Sequence, residues 1–355
     1  MAENSCFGEI HQELDAKLIP CGKWNLPLFY PGGSVAEHRN SRSGAGIFDQ
    51  SGIRCFQIAG KNAAGVLEEN LLYPVAGLAV GCAAENLLLS GEGRVAAVFT
   101  LCRMKEDDFM LLLQRSTAEK DVVYLKQLFS TIPIVRELTE NMAFLTVAGS
   151  RSREILQEAG ADGLPEDGKW QMITILDEEG DQFRCIAIGH DRFGEPGFDL
   201  CCNAAVALEV YGAVYRIPGA VPAGLGAWES LRIESRQPGI PEFSGENFPT
   251  ECGFKVSMDD KRQFAGCKAL ETAGTFRILA MVEFERHPAP PGSVIKISGN
   301  IAAGVVTSGA FCPVSGRAGS WCRFDGNAGV RVGDSVGCVI NNREVSGVIT
   351  AIAGE

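Results

Sequence analysis

Residues 189–202 read GHDRFGEPGFDLCC and gather His190, Asp191, Arg192, Glu195 and Asp199 in one short run. Charged side chains are seldom buried without partners, so a solvated surface loop accounts for such a run as well as a binding site does. Its chemical reading is an acceptor, because a carboxylate at a strand edge can take two adjacent N–H donors at once. A second run, AGLGAWESLRIESRQP at 223–238, leads through Trp228 and Leu231 to Arg232, beside Glu234. Alternation there puts Arg232 either on the outward face of a strand or in a pocket. Glu251 follows a proline in NFPTECGFKV (247–256), and Thr307 and Ser308 lie in AGVVTSGAFCPVSG (303–316). Neither hydroxyl has a histidine nearby in sequence and no G-x-S-x-G occurs, which argues against serine-hydrolase chemistry.

These runs need a scaffold. The segment AAGVLEENLL at 63–72 has helical spacing and follows a strand that ends in a turn at Gly60. From Glu85 to Ser116, three apolar runs separated by GEG and EDD turns read as a β-meander, and STAEKDVVYLKQLF (116–129) reads as a capped helix. Strand, turn and helix recur at 142–160, and strand, polar loop, strand and helix at 182–215. Mixed order of this kind predicts an α+β unit with mostly antiparallel sheets. After Pro288 the texture changes to short β-type runs with Gly, Pro and Asn turns, which predicts a separate small barrel.

The 355 residues carry 32 Lys and Arg against 44 Asp and Glu, a net charge of −12 without a basic run. That composition argues against nucleic acid as a partner. The four histidines and 13 cysteines show no metal-ligand spacing and no Cys-x-x-Cys, so no metal is expected and most cysteines are expected to be small buried apolar residues. The first residues lack a signal-peptide pattern and nothing approaches a membrane span, so a cytoplasmic location without membrane association is expected. Packing in a buried strand is the expected role of the adjacent Cys201 and Cys202.

Taken together, the runs resemble the glycine-cleavage T-protein family, the tetrahydrofolate-dependent aminomethyltransferases and their folate-binding relatives. The match rests on the opening at 11–52, with Glu37, His38 and Gly46-Ile47-Phe48-Asp49, then on AGLGAWESLRIES, FPTECGF, QFAGCKAL (263–270) and AAGVVTSGAFCP in the family's order. The resemblance implies two related α+β folate-binding subdomains in a ring-like body (residues 7–270), plus a C-terminal antiparallel β-barrel (275–355). It implies tetrahydrofolate as cofactor and a lipoyl carrier protein as partner and aminomethyl donor. Asp199 matches the family acid that accepts the pterin N–H edge in bidentate fashion, and Arg232 a ligand-contacting arginine. Leu112 and Gln114 fall where relatives border the aminobenzoyl ring, and Arg277 at the entrance to the barrel domain. Arg192 and Glu195 fall in the family's Gly-Tyr-Thr-Gly-Glu, Arg192 in place of the pocket aromatic.

The resemblance also has gaps. Asp49-Gln50-Ser51-Gly52-Ile53 stands for Asp-Val-Ser-His-Met, and Ala96 and Ala97 stand where transferases carry an acidic pair held to assist one-carbon transfer. An alanine moves no proton, and losing a positioned acid or base typically forfeits about 10² to 10⁴ in rate. Three activities therefore remain open: an aminomethyltransferase, impaired or with another group substituting; a non-transferase folate-binding protein of the iron–sulfur cluster maintenance type; or a folate-dependent demethylase with a different one-carbon donor.

Overall fold

A computed structural model describes residues 2–243, 246–257, 262–274, 276–297, 301–340 and 343–355. The protein is α+β with a closed C-terminal barrel, as the sequence predicts. A six-stranded sheet runs in the order Trp170–Leu176, Gln182–Arg192, Glu195–Asn203, Met142–Ala148, Ala45–Asp49 and Ala220–Pro222. A five-stranded sheet runs Ala83–Leu89, Val95–Lys105, Asp108–Leu113, Arg54–Ala59 and Ile134–Glu137. The predicted meander is the first three strands of this second sheet. A small sheet pairs Glu3–Asn4, Trp24–Phe29 and Lys17–Cys21.

The six-strand barrel joins Ile278–Phe284, Arg317–Phe324, Ile301–Cys312, Val294–Ile297, Ser335–Ile340 and Arg343–Ile352, every pairing antiparallel. Val282, Phe284, Ile295, Val306, Phe324 and Ile349 fill its interior. Closure leaves the barrel without an open sheet edge. By compactness the chain divides into two units, residues 1–87 with 97–228, and residues 88–96 with 229–355.

Within the first unit the strand period of two divides the core between two faces. Cys202 belongs with Ile47, Leu145, Val147 and Leu200 on one face, whereas Cys201 belongs with Cys55, Cys102, Met110, Leu112 and Phe144 on the other. The adjacent cysteines thus point into different cores and cannot act as a pair, in keeping with a packing role. Burial pushes the Cys201 thiol up, and the hydrogen bond with the Cys185 thiol, then burial, push up that of Cys202.

Two local expectations are corrected. The polar loop at 189–195 is a tight hairpin, with Arg192 paired to Glu195 and only Phe193 and Gly194 at its tip. Both tip residues have positive φ, 60° and 73°, the geometry that suits a two-residue turn to the strand twist. Arg232 lies on a helix, Leu225–Glu234, and not on an alternating strand. Leu231, Arg232 and Ile233 are all buried, which a strand with one solvated face would not allow.

Candidate functional site

The cross-strand register sets Asp199 between Ile188 on one side and Thr146 on the other, near the centre of the six-stranded sheet. Thr146 Oγ1 donates to Asp199 Oδ1 at 2.7 Å, and Arg192 Nη2 donates to Oδ2 at 2.7 Å. His190 Nε2 stands 2.9 Å from the same Oδ2. Burial works to raise the Asp199 carboxyl, but the Arg192 and His190 charges and the bonds from His190 and Thr146 outweigh it and hold the group far below the usual carboxylate range. Asp199 is therefore a fixed anion. Arg192 reaches it by lying across Gly197, where a Cβ would meet the arginine Cγ at 2.6 Å.

Arg192 also stands over the indole of Trp228, its Cζ 5.9 Å from the ring centroid. Trp228 meets Phe193 and Phe48 edge to face at 4.9 and 5.2 Å, so the hairpin tip is fastened to an aromatic cluster. Below this cluster is a pocket lined by Pro27, Phe48, Asp49, Gln50, Ala223, Gly224, Leu225 and Trp228. Asp49 is held there by Ser5 Oγ at 2.8 Å, His11 Nε2 at 3.0 Å and the Ser51 N–H at 2.7 Å. Glu37 fixes the pocket wall by accepting the backbone N–H groups of Tyr30 and Gly224.

Glu85 adds an acid. Its side chain reaches solvent, yet protein crowds it closely enough that burial raises its carboxyl, partly offset by the Arg192 charge. A carboxyl raised toward neutrality near the Arg192 charge is a candidate proton carrier.

The family model described as the GCVT N-terminal domain matches residues 7–261. The chain belongs to the glycine-cleavage T-protein family. The aminomethyltransferase of Rubrobacter xylanophilus is 30% identical over 322 residues, covering 87% of this chain and 84% of that one. That of Stenotrophomonas maltophilia is 26% identical over 335 residues, covering 91% and 89%. The crystal structure of glycine cleavage system aminomethyltransferase T from Bartonella henselae superposes with a TM-score of 0.88 over 99% of this chain and 97% of that one, at 22% identity, and shows the shared fold.

For this T-protein-family chain the expected site residues are placed as follows. Arg192 and Asp199 are bonded to each other, and Glu195 Oε1 is 3.5 Å from Arg42 Nη1 at the same hairpin. Leu112 is buried among Cys102, Met110 and Phe144. Gln114 continues that strand through its N–H bond to the Val98 carbonyl, and its Oε1 is buried without a partner. Ala96 and Ala97 are buried, 8% and 3% exposed.

Arg232 and Arg277 belong to the second unit. The Arg232 guanidinium donates to both Glu229 oxygens, to Glu242 Oε2 at 3.1 Å and to the Gln237 carbonyl. Glu242, fully buried, accepts in turn from Thr307 and Ser308 at 2.6 and 2.7 Å, so these hydroxyls anchor a carboxylate. Arg277 grips Glu251 through its N–H, Nε and Nη2, and reaches Asn247 at 2.7 Å.

Sequence reasoning missed Glu85, Glu242, Gln50 as a pocket residue, and Arg115. Only Gln50 carried a signal, as a polar residue where the family has valine.

Proposed function

We propose that this chain is a cytoplasmic, tetrahydrofolate-binding, T-protein-like transferase that moves a one-carbon unit from an aminomethyl-lipoyl carrier, with the missing acidic pair replaced by Glu85. The family match over residues 7–261 carries this reading, supported by relatives named aminomethyltransferase that align along nearly the whole chain. Bound tetrahydrofolate would supply the nitrogen that receives the one-carbon unit.

The residues present fit a pterin with one adjustment. A carboxylate offers about four acceptor sites; Thr146 donates to Oδ1 and Arg192 to Oδ2 of Asp199, and His190 Nε2 crowds Oδ2 at 2.9 Å. Two-point acceptance of a pterin edge therefore requires Arg192 to release Oδ2. Its Nε, buried and unpartnered, marks this side chain as incompletely satisfied where it rests. Trp228, Phe193 and Phe48 supply apolar ring surface beside it. Glu85, with its carboxyl raised by burial, is the group able to give or take a proton that Ala96 and Ala97 cannot.

Titration of tetrahydrofolate into the purified chain, followed by an aminomethyl-lipoyl turnover assay on native, Glu85→Gln, Ala96→Asp and Ala97→Asp proteins, tests the reading. Folate binding with turnover that falls about 10²-fold or more in Glu85→Gln is expected. Absence of folate binding would overturn the proposal. Folate binding without turnover in the native chain, restored by either aspartate, would instead favour the non-transferase alternative. Turnover with an N-methyl donor and none with the lipoyl carrier would favour the demethylase.

A further inference from the structure

Gln50 is 5% exposed and lines the pocket beneath Trp228. Its Oε1 accepts from Arg115 Nη2 at 2.8 Å. A guanidinium can only donate, so this bond fixes the amide with oxygen toward Arg115 and turns Nε2 away from it. That Nε2 is buried without a partner, and so is Nη1 of Arg115. Two orphaned donors therefore flank one hydrogen bond. Among the described residues Arg115 makes no ion pair.

The sheet explains why this charge stays open. Leu113 pairs with Arg54 and with Phe99, and the ladder continues one step through the Gln114 N–H to the Val98 carbonyl. Carried on, the register sets Gly52 on one side of Arg115 and Ala97 on the other. Gly52, at φ 100°, has no side chain to push Arg115 aside; a Cβ there would lie 3.1 Å from the arginine Cβ. Ala97 offers only a methyl group. The carboxylate lining the pocket, Asp49, is already engaged by Ser5, His11 and the Ser51 N–H.

We propose that Gln50 and Arg115 form a carboxylate subsite, in which Gln50 Nε2 and Arg115 Nη1 donate to one carboxylate. Both orphans are donors and one carries full charge, so an acceptor-only anion satisfies them better than a water, which must also place its own hydrogens. The carboxylate has two sources, the glutamyl tail of a folate or an amino acid that donates the one-carbon unit. The folate source rests on the function proposed above; the subsite itself does not.

Calorimetric titration of the full chain separates these cases. The probes are tetrahydrofolate against 6-methyltetrahydropterin, which lacks the glutamyl group, and sarcosine or glycine against methylamine, which lacks the carboxylate. Arg115→Gln removes the charge. Gln50→Glu keeps the bond to Arg115 while replacing the free donor with an anion, so it tests the subsite even if Arg115→Gln fails to fold by circular dichroism.

The expected result is that at least one carboxylate probe binds the native chain and loses about ten- to a hundredfold in affinity in either folded variant, while 6-methyltetrahydropterin is unaffected. Loss confined to tetrahydrofolate assigns the subsite to the tail, and loss confined to sarcosine or glycine assigns it to the donor. Binding of sarcosine or glycine, lost in the variants, with no folate or pterin binding would keep the subsite and reject the folate reading. If no carboxylate binds, or if all bind the folded variants as tightly as the native chain, the subsite is wrong and the pocket holds only water.

Discussion

Asp199 and Arg192 hold each other in place, and each is costly to leave alone. Removing one partner of a largely buried ion pair costs about 3 kcal/mol when some solvent access remains, and here the side chains are 28% and 11% exposed. Asp199→Asn should therefore lower the urea midpoint by a stability loss of that order and abolish pterin binding; an unchanged midpoint would show that the pair contributes little. Glu85 behaves oppositely. Its folded pKa is raised, so its contribution to stability is present below the unfolded carboxylate pKa of about 4.3 and is lost as pH rises through the folded value. Glu85→Gln should accordingly be at least as stable as the native protein at pH 7 while losing turnover, a split that a structural role would not give.

At the scale of elements, the hairpin of Gln182–Arg192 and Glu195–Asn203 delivers Arg192 and Asp199 to one point. Gly197→Ala should displace Arg192, since the added Cβ would occupy the space of its Cγ and Cβ. A stability loss of about 3 kcal/mol, read by circular dichroism, with folate affinity by calorimetry kept or raised because Oδ2 is freed, is the expected signature; an unchanged midpoint would show that Arg192 still reaches Asp199. The helix Leu225–Glu234 carries a different burden, because Arg232 compensates a fully buried Glu242. Arg232→Ala leaves that carboxylate uncompensated and should cost about 3–5 kcal/mol in denaturant unfolding. A loss under about 1 kcal/mol would mean that Thr307 and Ser308 suffice to hold Glu242.

For the whole molecule, acid tolerance follows from the sum of such groups. Asp49, Asp199, Glu137 and Glu251 all have lowered folded pKa values, each against the opposing effect of burial. Their stabilisation is complete above the unfolded carboxylate range near pH 4 and is lost as pH falls through the lower folded values. The thermal midpoint should therefore hold between pH 7 and 5 and fall steeply below about 4; a steep loss already at pH 6 would contradict this assignment. Much of the architecture was legible in the chain itself. The spacing of apolar residues foretold the meander, the α+β body and a C-terminal barrel, because local periodicity reports which face of an element is buried, but the barrel's first strand, Ile278–Phe284, precedes the change of texture at Pro288. The matched runs foretold the family, and the alanines at 96 and 97 were visible as a departure without any coordinates. What the chain could not announce was contact between distant positions. Arg232 read as a strand residue because Leu231 and Ile233 flank it, and only packing on both sides of a helix explains three buried neighbours. Glu85, Glu242 and the Gln50–Arg115 pair became candidates through register and burial, which bring together residues far apart in sequence. The sequence determined which chemical groups were available and which expected ones were missing. Tertiary structure decided which are neutralised internally and which keep an unmet charge or hydrogen bond, since desolvation and pairing are properties of the folded surroundings.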